Sequence, residues 1–306
     1  MEHLSEEQII MWCLAEDREL IGDPSTANKI VKVQNVVIKF GDIGVEESRN
    51  QEHAHALLDG DRFRVPRVHS FFQKDGVGYL TMDYIDGRAF SRGDEEDLQK
   101  VVDFLAELHR FNAEIPGPVG GGQSRGLLWP QGEPPTFASV AEMEKFINDY
   151  LSVPQLECSK PERLTFCHLD VAPRNLLVTT NGKLGILDWA SAGFYPRPFE
   201  VAALRRNNKA LGGQNKFEER LECCIRAADP FSQNEERQLG AMLQIGYDYV
   251  RYGRDRSAQT ITIKSSRRRR QRMNLSSSKP PVGSSLVSVL DPVEAVEQAG
   301  AQPDVS

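Results

Sequence analysis

The sequence lacks the features of a secreted, disulfide-bonded or membrane-spanning protein. No run of about 18 apolar residues occurs, and the acidic start, MEHLSEEQIIMWCLAEDREL, has no basic segment followed by an apolar one. There are only five cysteines and no C-x-x-C pair, so neither a disulfide framework nor a zinc site is indicated. We therefore expect a protein with no membrane span, located in the reducing environment of the cytoplasm.

An excess of positive charge is also lacking, with one local exception. The net charge of −7 argues against a surface that coats nucleic acid generally. The exception is the arginine run Arg267–Arg272, which resembles segments that bind nucleic acid or anionic lipid or serve as nuclear-import signals. Nucleic-acid or importin contact and a nuclear location are therefore open, although a solvated tail without aromatic stacking platforms is the simpler interpretation.

The periodicity of apolar residues changes along the chain. β-Branched runs, KIVKVQ, NVVIKF and GYLTMDYI, and a helical VEESRNQEHAHALLDG between the second and third predict a small sheet with one helix. The next segment, DEEDLQKVVDFLAELHRFN, predicts a helix with one buried face because its apolar residues recur at spacings of three and four. Those residues are Leu98, Val101, Val102, Leu105 and Leu108.

These changes suggest three regions. Residues 1–86 hold an N-terminal helix and the sheet, and residues 87–258 are mostly helical. Residues 259–306 are rich in Ser, Pro and Arg without a sustained period, so we expect a disordered tail. A long Gly/Pro-rich stretch, IPGPVGGGQSRGLLWPQGEPPTF, is expected to form a surface loop near a functional cleft.

A spaced set of polar residues lies in FCHLDVAPRNLLVTTNGKLGILDWA. Two short strands joined at an Asn-Gly turn predict a hairpin, which brings Asn175 beside Asp188 at one end. An amide oxygen and a carboxylate form a site suited to Mg²⁺, and Asp170 lies one loop away, where it could accept a hydroxyl proton. This is the arrangement that phosphoryl transfer requires.

The segments HLDVAPRNLLV and GILDWASAGFYP resemble the aminoglycoside phosphotransferase family of the protein-kinase-like superfamily. The resemblance covers roughly residues 20 to 252. It implies an α+β, bilobal protein-kinase-like fold with a small antiparallel-sheet N-lobe and a mostly helical C-lobe. It also implies ATP- and Mg²⁺-dependent transfer of the γ-phosphate to a small-molecule hydroxyl, with Asp170 catalytic, Asn175 and Asp188 as metal ligands and His168 bracing the loop.

The nucleotide site follows from the same resemblance. Lys39 in VVIKF resembles the kinase lysine that holds the α- and β-phosphates. Glu52 on the following helix is the expected partner of Lys39, with Glu46 and Glu47 as competitors.

The segment YLTMDYIDG resembles the hinge between kinase lobes. The resemblance implies that the backbone from Asp83 to Ile85 hydrogen-bonds adenine and that Met82 flanks the ring. Met82 and the backbone from Asp83 to Ile85 complete the expected nucleotide site.

Three positions depart from the family pattern. Leu169 stands where the family usually has Gly, Ala190 stands where an acidic residue is common, and no Gly-rich loop precedes Lys39. Ser25 and Thr26 are the remaining candidates for phosphate contact there. A catalytically weak or inactive pseudokinase-type binding module is therefore the alternative function.

The acceptor is open between aminoglycosides and metabolites such as choline, homoserine or a sugar amine. Acidic residues of a C-terminal helical segment, Glu218, Glu219 and Glu222, could attract a cationic acceptor, although such clusters are commonly solvated. A protein acceptor is less favoured, because little room for an activation segment follows DWASAGFYP.

Overall fold

The computed structural model describes residues 5–22, 26–130, 133–151, 156–157, 164–210 and 216–252. All of them belong to one compact unit that ends at Arg254. The expected tail, 259–306, and its arginine run Arg267–Arg272 lie outside the described residues, so both predictions about them remain predictions. None of the described helices is long and apolar enough to cross a membrane.

The described segments contain helices and strands in mixed order. The strands are β1 (Glu19–Ile21), β2 (Lys29–Val33), β3 (Val36–Gly41), β4 (Phe63–Arg64), β5 (Val68–Lys74), β6 (Val77–Asp83), β7 (Gly87–Ala89), β8 (Asn112–Ala113), β9 (Leu164–Cys167), β10 (Leu176–Thr179), β11 (Leu184–Ile186) and β12 (Gly193–Tyr195). The α-helices are α1 (Glu6–Leu14), α2 (Val45–Leu58), α3 (Glu95–Leu108), α4 (Val140–Asn148), α5 (Pro198–Ala210), α6 (Lys216–Ala228) and α7 (Gln233–Tyr252). A short 3-10 helix spans Pro173–Asn175.

The N-terminal half contains a five-stranded antiparallel sheet in the order β1-β2-β3-β6-β5. Its central strands β2, β3 and β6 are the three that the β-branched runs predicted, and α2 is the predicted helix. Helix α1 begins with a capping box at Ser5 and buries Ile9 and Cys13 against Ile38 of β3. Helix α1 therefore packs against the sheet.

Helix α2 has an unusual buried face. Ala54 and Leu58 are apolar, but Glu47, Asn50 and Gln51 are buried as well. A buried polar side chain is costly unless it is hydrogen-bonded, so each of these three must find a partner on a neighbouring element. The contacts of α2 with the rest of the protein are accordingly specific rather than merely apolar.

The C-terminal half is mostly helical and holds the largest apolar core. Helix α3 is capped by Asp94 and buries all five of the apolar residues that predicted it. Burial of each such side chain contributes about 1.5–3 kcal/mol, so this face alone fixes α3 against the core. Helices α5 and α6 also pack together, and α7 packs on α5.

The predicted hairpin is confirmed as β10 and β11, which pair antiparallel with Leu176 opposite Ile186. It lies at the centre of a four-stranded sheet ordered β4-β11-β10-β7. Strands β4 and β7 come from the chain before α3, so the hairpin is tied to both halves of the sequence. This sheet fixes the hairpin end at which the candidate site lies.

Candidate active site

Lys39 lies at the centre of a cluster of charges in which Lys39 and Glu47 are buried and Asp188 is partly exposed. Its Nζ is 2.7 Å from Oε1 of Glu47 and 2.9 Å from Oδ1 of Asp188. Strand β3 presents Lys39 opposite Leu80 of β6, and the lysine is only 7% exposed. The lysine thus links the sheet, helix α2 and the segment that follows β11.

The prediction that Glu52 is the partner of Lys39 is wrong. Glu52 is exposed and accepts a hydrogen bond from Ser48 on its own helix, while Glu47 makes the contact with Lys39. Helical spacing explains the difference, because Glu47, Ala54 and Leu58 share one buried stripe and Glu52 falls outside it. Ala54 and Leu58 are the two apolar residues of this stripe, and contacts with distant segments decide that the stripe is the buried face.

The ion pairs set the protonation states of this cluster. Burial alone would lower the pKa of Lys39, but Glu47 and Asp188 outweigh it and raise the pKa. Burial would raise the pKa of Asp188, yet the ammonium of Lys39 brings it below the usual value. Asp188 is therefore held as a carboxylate and Lys39 as a cation.

Asp170 and Asn175 are joined across the loop that follows β9. The side-chain amide nitrogen of Asn175 donates to Oδ2 of Asp170 and to its backbone oxygen, both at 2.9 Å. The other carboxylate oxygen of Asp170 accepts from Nη2 of Arg174. Burial and the nearby Asp188 raise the pKa of Asp170, although Arg174 opposes them.

The hairpin brings Asn175 beside Asp188, as the sequence predicted. The backbone N–H of Leu187 donates to the carbonyl of Asn175 at 2.9 Å, directly before Asp188. Because the amide nitrogen of Asn175 is used by Asp170, its amide oxygen is the atom left for a cation. An amide oxygen and an ionised carboxylate are suitable ligands for Mg²⁺.

His168 holds the two loops in register. Its Nδ1 accepts the backbone N–H of Asp170 at 3.2 Å, which places the proton on Nε2, and Nε2 donates to the carbonyl of Leu187 at 3.1 Å. Burial lowers the pKa of His168 to about 4, so the ring is neutral at physiological pH. His168 therefore connects the backbone of Asp170 to Leu187, the residue before Asp188.

Glu200 of α5 supports the same loop and was not identified from the sequence. Its carboxylate accepts the backbone N–H groups of His168 and Leu169 at 2.8 and 3.0 Å. Leu169 has a φ of +60°, a conformation that favours glycine and explains why glycine suits this position. Burial raises the pKa of Glu200 to about 7. No spacing rule in the sequence marks this glutamate.

Glu200 also lies in a cluster with His109 and Cys167, whose ligand atoms are all within 4.8 Å of one another. Both oxygens of Glu200 already accept backbone hydrogen bonds. Burial raises the pKa of the Cys167 thiol well above its usual range, which disfavours the thiolate that metals bind. We interpret this cluster as a brace behind the loop.

Asn50 is a second supporting residue that no motif in the sequence marks. Its side chain is fully buried and donates to the carbonyls of Trp189 and Ala192 at 3.1 and 2.7 Å. Its oxygen accepts the backbone N–H of Val119 at 2.9 Å. Asn50 therefore ties α2 to the segment that follows Asp188 and to the Gly/Pro-rich loop.

The Gly/Pro-rich loop, residues 115–137, is held by several further contacts. Gly117 pairs with Phe194 through two backbone hydrogen bonds, and the hydroxyl of Tyr195 donates to Ser124. The backbone N–H of Gln123 donates to Glu46 at the start of α2. Glu46, one of the alternative partners considered for Lys39, thus bonds this loop.

The predicted hinge residues lie at the end of β6. Met82 is buried, and its sulfur accepts from Gln51 of α2. The backbone N–H of Asp83 donates to the carbonyl of Arg67. The carboxylate of Asp83 pairs with Arg64 and His69. Ile85 follows the strand, one residue beyond the backbone contact of Tyr84 with Asn35.

The segment in which kinases have a Gly-rich loop joins β1 to β2 in this protein. Ser25 lies outside the described residues, and the hydroxyl of Thr26 donates to the carbonyl of Asn28. Ala190 has only a methyl group and therefore cannot serve as an additional metal ligand through its side chain. The backbone at Asp188 has a φ of +63°, which marks the turn that directs this carboxylate toward Lys39.

The acidic residues of α6 are engaged by neighbouring side chains. Glu222 pairs with Arg205 of α5 at 2.6 Å and with Arg226 at 3.3 Å. Glu218 and Glu219 accept from the side chains of two α5 residues, Asn207 and Asn208 respectively, each at 3.3 Å. The cluster that suggested a cationic acceptor therefore also fastens α6 to α5.

Solved structures show the same fold at low sequence identity. Aminoglycoside phosphotransferase APH(4)-Ia superposes with a TM-score of 0.50 at 16% identity, covering 79% of this chain and 88% of that one. A thermostable mutant in ternary complex with ADP and hygromycin B gives 0.51 at 14% identity, with the same coverages. No curated protein sequence matches the chain significantly.

The fold is thus the expected α+β protein-kinase-like fold, with an antiparallel sheet in the N-terminal region followed by helices. The sequence model described as the phosphotransferase enzyme family, abbreviated APH, matches residues 23–221, which is more than half of the chain. That span includes Lys39, Asp170, Asn175 and Asp188. The chain therefore belongs to the phosphotransferase enzyme family.

Proposed function

We propose that this protein transfers the γ-phosphate of ATP, with Mg²⁺, to a hydroxyl group of a small molecule. The observation that carries the proposal is the contact of Lys39 with a distant segment that bears three further polar side chains, Asp170, Asn175 and Asp188. Lys39 contacts Asp188 at 2.9 Å, and Asn175, next to Leu187 in the hairpin, contacts Asp170 at 2.9 Å. Such a set supplies the positioning and charge stabilisation that phosphoryl transfer needs.

Asp170 is the catalytic base in this proposal. Asn175 fixes one carboxylate oxygen, and the backbone N–H contact with His168 fixes the main chain beneath it. An acceptor hydroxyl would donate to Asp170, which orients the oxygen for in-line attack and takes up its proton. The raised pKa of Asp170 favours this role, because a base is most effective when its pKa approaches the operating pH.

Asn175 and Asp188 would hold the metal. The donor set fits Mg²⁺, because the ionised Asp188 carboxylate has lone pairs beyond the one that Lys39 uses, and Asn175 lies beside Leu187, the residue before Asp188. When bound, Mg²⁺ neutralises charge on the transferring phosphate. The lowered pKa of Asp188 keeps this ligand ionised.

Lys39 would hold the α- and β-phosphates of the nucleotide, and Glu47 replaces Glu52 in orienting it. Adenine would lie against Met82 and hydrogen-bond the backbone between Asp83 and Ile85. Since the N–H groups of Asp83 and Tyr84 are used within the protein, the N–H of Ile85 is the proposed donor to adenine. The lobes correspond to residues 1–86 and 87–258 in this proposal.

The short connection after the metal loop supports a small-molecule acceptor. Strand β12 ends at Tyr195 and α5 begins at Pro198, so no long activation segment lies between them. Protein kinases use such a segment to bind peptide substrates. The acceptor is therefore proposed to be a small hydroxyl compound.

Thermal unfolding with and without MgATP is the direct test, with Asp188→Ala as the control. A ligand that binds only the native state raises the unfolding midpoint by mass action. We expect a magnesium-dependent rise in the wild type that is absent in Asp188→Ala, followed by phosphate transfer in acceptor screens. No rise at millimolar MgATP would reject the proposal and favour the inactive, pseudokinase-type binding module.

A further inference from the structure

We propose that Arg174 makes the enzyme selective for acceptors that carry an anionic group close to the reactive hydroxyl. This inference rests on the proposed function, because it concerns the acceptor side of the same site. The guanidinium of Arg174 forms an ion pair with the catalytic base Asp170. An acceptor whose hydroxyl binds Asp170 would therefore also lie close to the guanidinium of Arg174.

The exposure of the two partners is unequal. The side chain of Arg174 is 52% exposed, whereas that of Asp170 is 15% exposed. A molecule that arrives from solvent therefore meets the guanidinium over a larger surface than the carboxylate. Nη2 of Arg174 contacts Asp170, and Nη1 lies 3.4 Å from Oδ1 of Asn207 on α5. These two contacts hold the guanidinium beside the carboxylate of Asp170.

Distance favours an anion next to the hydroxyl. A hydroxyl bonded to Asp170 lies within about two hydrogen-bond lengths, roughly 5–6 Å, of the guanidinium. At that separation a carboxylate can accept N–H donors of the arginine fork that Asp170 and Asn207 do not use, whereas a cationic substituent finds no acceptor on the guanidinium. Arginine thus selects both the charge of the acceptor and the position of its hydroxyl.

The acidic residues of α6 do not provide an opposing preference. Glu222 is neutralised by Arg205 and Arg226, and Glu218 and Glu219 bond asparagines of α5. These contacts weaken the earlier reason for a cationic acceptor. The charge that the described site leaves half-exposed beside its base is the positive charge of Arg174.

Two sets of acceptors of similar size, each with a carboxylate, a neutral and an ammonium member, test this inference. We would measure ADP release above background with glycerate, glycerol and serinol, and with glucuronate, glucose and glucosamine. The carboxylates should give the largest kcat/KM in the wild type. Arg174→Gln should lower kcat/KM for the carboxylates by about tenfold or more, mainly through KM, and leave the neutral compounds nearly unchanged.

Two further variants separate recognition of an anion from general support of the base. Arg174→Lys restores the charge without the fork, so it should recover part of the carboxylate preference. Arg110→Gln removes a cation that pairs with Glu107 at the end of α3, and it should keep the wild-type preference. If Arg174→Gln lowers kcat equally for all charge classes, Arg174 only positions Asp170 and the inference is overturned.

Binding supplies the decisive result if none of the six compounds is phosphorylated. Thermal unfolding with MgADP and each compound should then show a rise for the carboxylates in the wild type and a smaller one in Arg174→Gln. A response that does not depend on charge, or is equal in both proteins, overturns the inference. Failure of the proposed function is distinguishable, because the stabilisation by MgATP would itself be absent.

Discussion

The side-chain amide of Asn50 donates to the backbone carbonyl of Trp189, 3.1 Å away, directly after Asp188 in the chain. Asn50 also lies one turn beyond Glu47 on α2, and Glu47 pairs with Lys39. The helix that orients the lysine is therefore the helix that holds the segment bearing the proposed metal ligand. Lys39, Glu47 and Asp188 are coupled through packing as well as through charge.

This coupling predicts the effect of Asn50→Ala. The carbonyls of Trp189 and Ala192 and the N–H of Val119 would each lose a buried partner, at about 1–3 kcal/mol for each unsatisfied group. We expect lower stability and a higher Mg²⁺ concentration for half-maximal stabilisation by MgATP. Both would be measured by thermal unfolding across a magnesium titration.

His55→Ala is the matched control for Asn50→Ala. His55 is on the same helix and bonds the carbonyl of Val65, away from the segment after Asp188. It should lower stability without changing the magnesium requirement. An equal shift of that requirement in both variants would show that general loosening of α2, and not the Asn50 contacts, is responsible.

The pairing of Lys39 predicts a contrast between two glutamates of α2. Glu47→Gln removes a buried carboxyl group whose oxygen lies 2.7 Å from Nζ of Lys39, whereas Glu52→Gln changes an exposed side chain bonded to Ser48. We expect the KM for MgATP to rise about tenfold in Glu47→Gln, which corresponds to about 1.4 kcal/mol, and to stay unchanged in Glu52→Gln. Steady-state kinetics that showed the larger effect in Glu52→Gln would contradict the assignment.

The sequence predicted the hairpin and its polar ends because a turn and two short strands are local features. The pairing of Leu176 with Ile186 then fixes Asn175 beside Leu187 without further information. The choice between Glu47 and Glu52 depends instead on which face of α2 is buried, and that is decided by contacts between distant segments. Glu200 and Asn50 could not be identified for the same reason, since their partners are backbone groups that carry no sequence signature.

The proposed role of Asp170 predicts a separation between binding and catalysis. Asp170→Asn keeps the size of the side chain but removes the carboxylate that would take up the hydroxyl proton. We expect kcat to fall by about 10²–10⁴-fold, while the stabilisation by MgATP in thermal unfolding persists. Transfer at the wild-type rate would exclude Asp170 as the base.

The structure also predicts how acid affects stability through His168. Burial lowers its pKa to about 4, whereas an unfolded histidine has a pKa of about 6.5. Above pH 6.5 the ring is neutral in both states and contributes no pH dependence. As the pH falls from about 6.5 toward 4, the unfolded chain takes up the proton and the folded chain does not, so the free energy of unfolding decreases.

Glu200 has the opposite effect in an overlapping range. Its pKa is raised to about 7, so between about pH 4.5 and 7 the folded state holds more protons at this site than the unfolded state. That carboxyl group therefore adds stability as the pH falls, and His109, whose pKa is also lowered to about 4 by burial, acts in the same direction as His168. Because two histidines oppose one carboxyl group, these three groups together should lower the stability of the wild type as the pH falls below about 6.5.

The contribution of His168 is isolated by comparing the wild type with His168→Gln. Between pH 7.5 and 5.5 the histidine should cost the wild type about 1 kcal/mol that the variant does not lose, whatever the variant's stability at pH 7.5. Urea unfolding at the two pH values measures this difference directly. If both proteins lost the same free energy on acidification, His168 would have to be protonated in the folded state. A charged ring could not accept the N–H of Asp170, so the described brace between Asp170 and Leu187 would be incorrect.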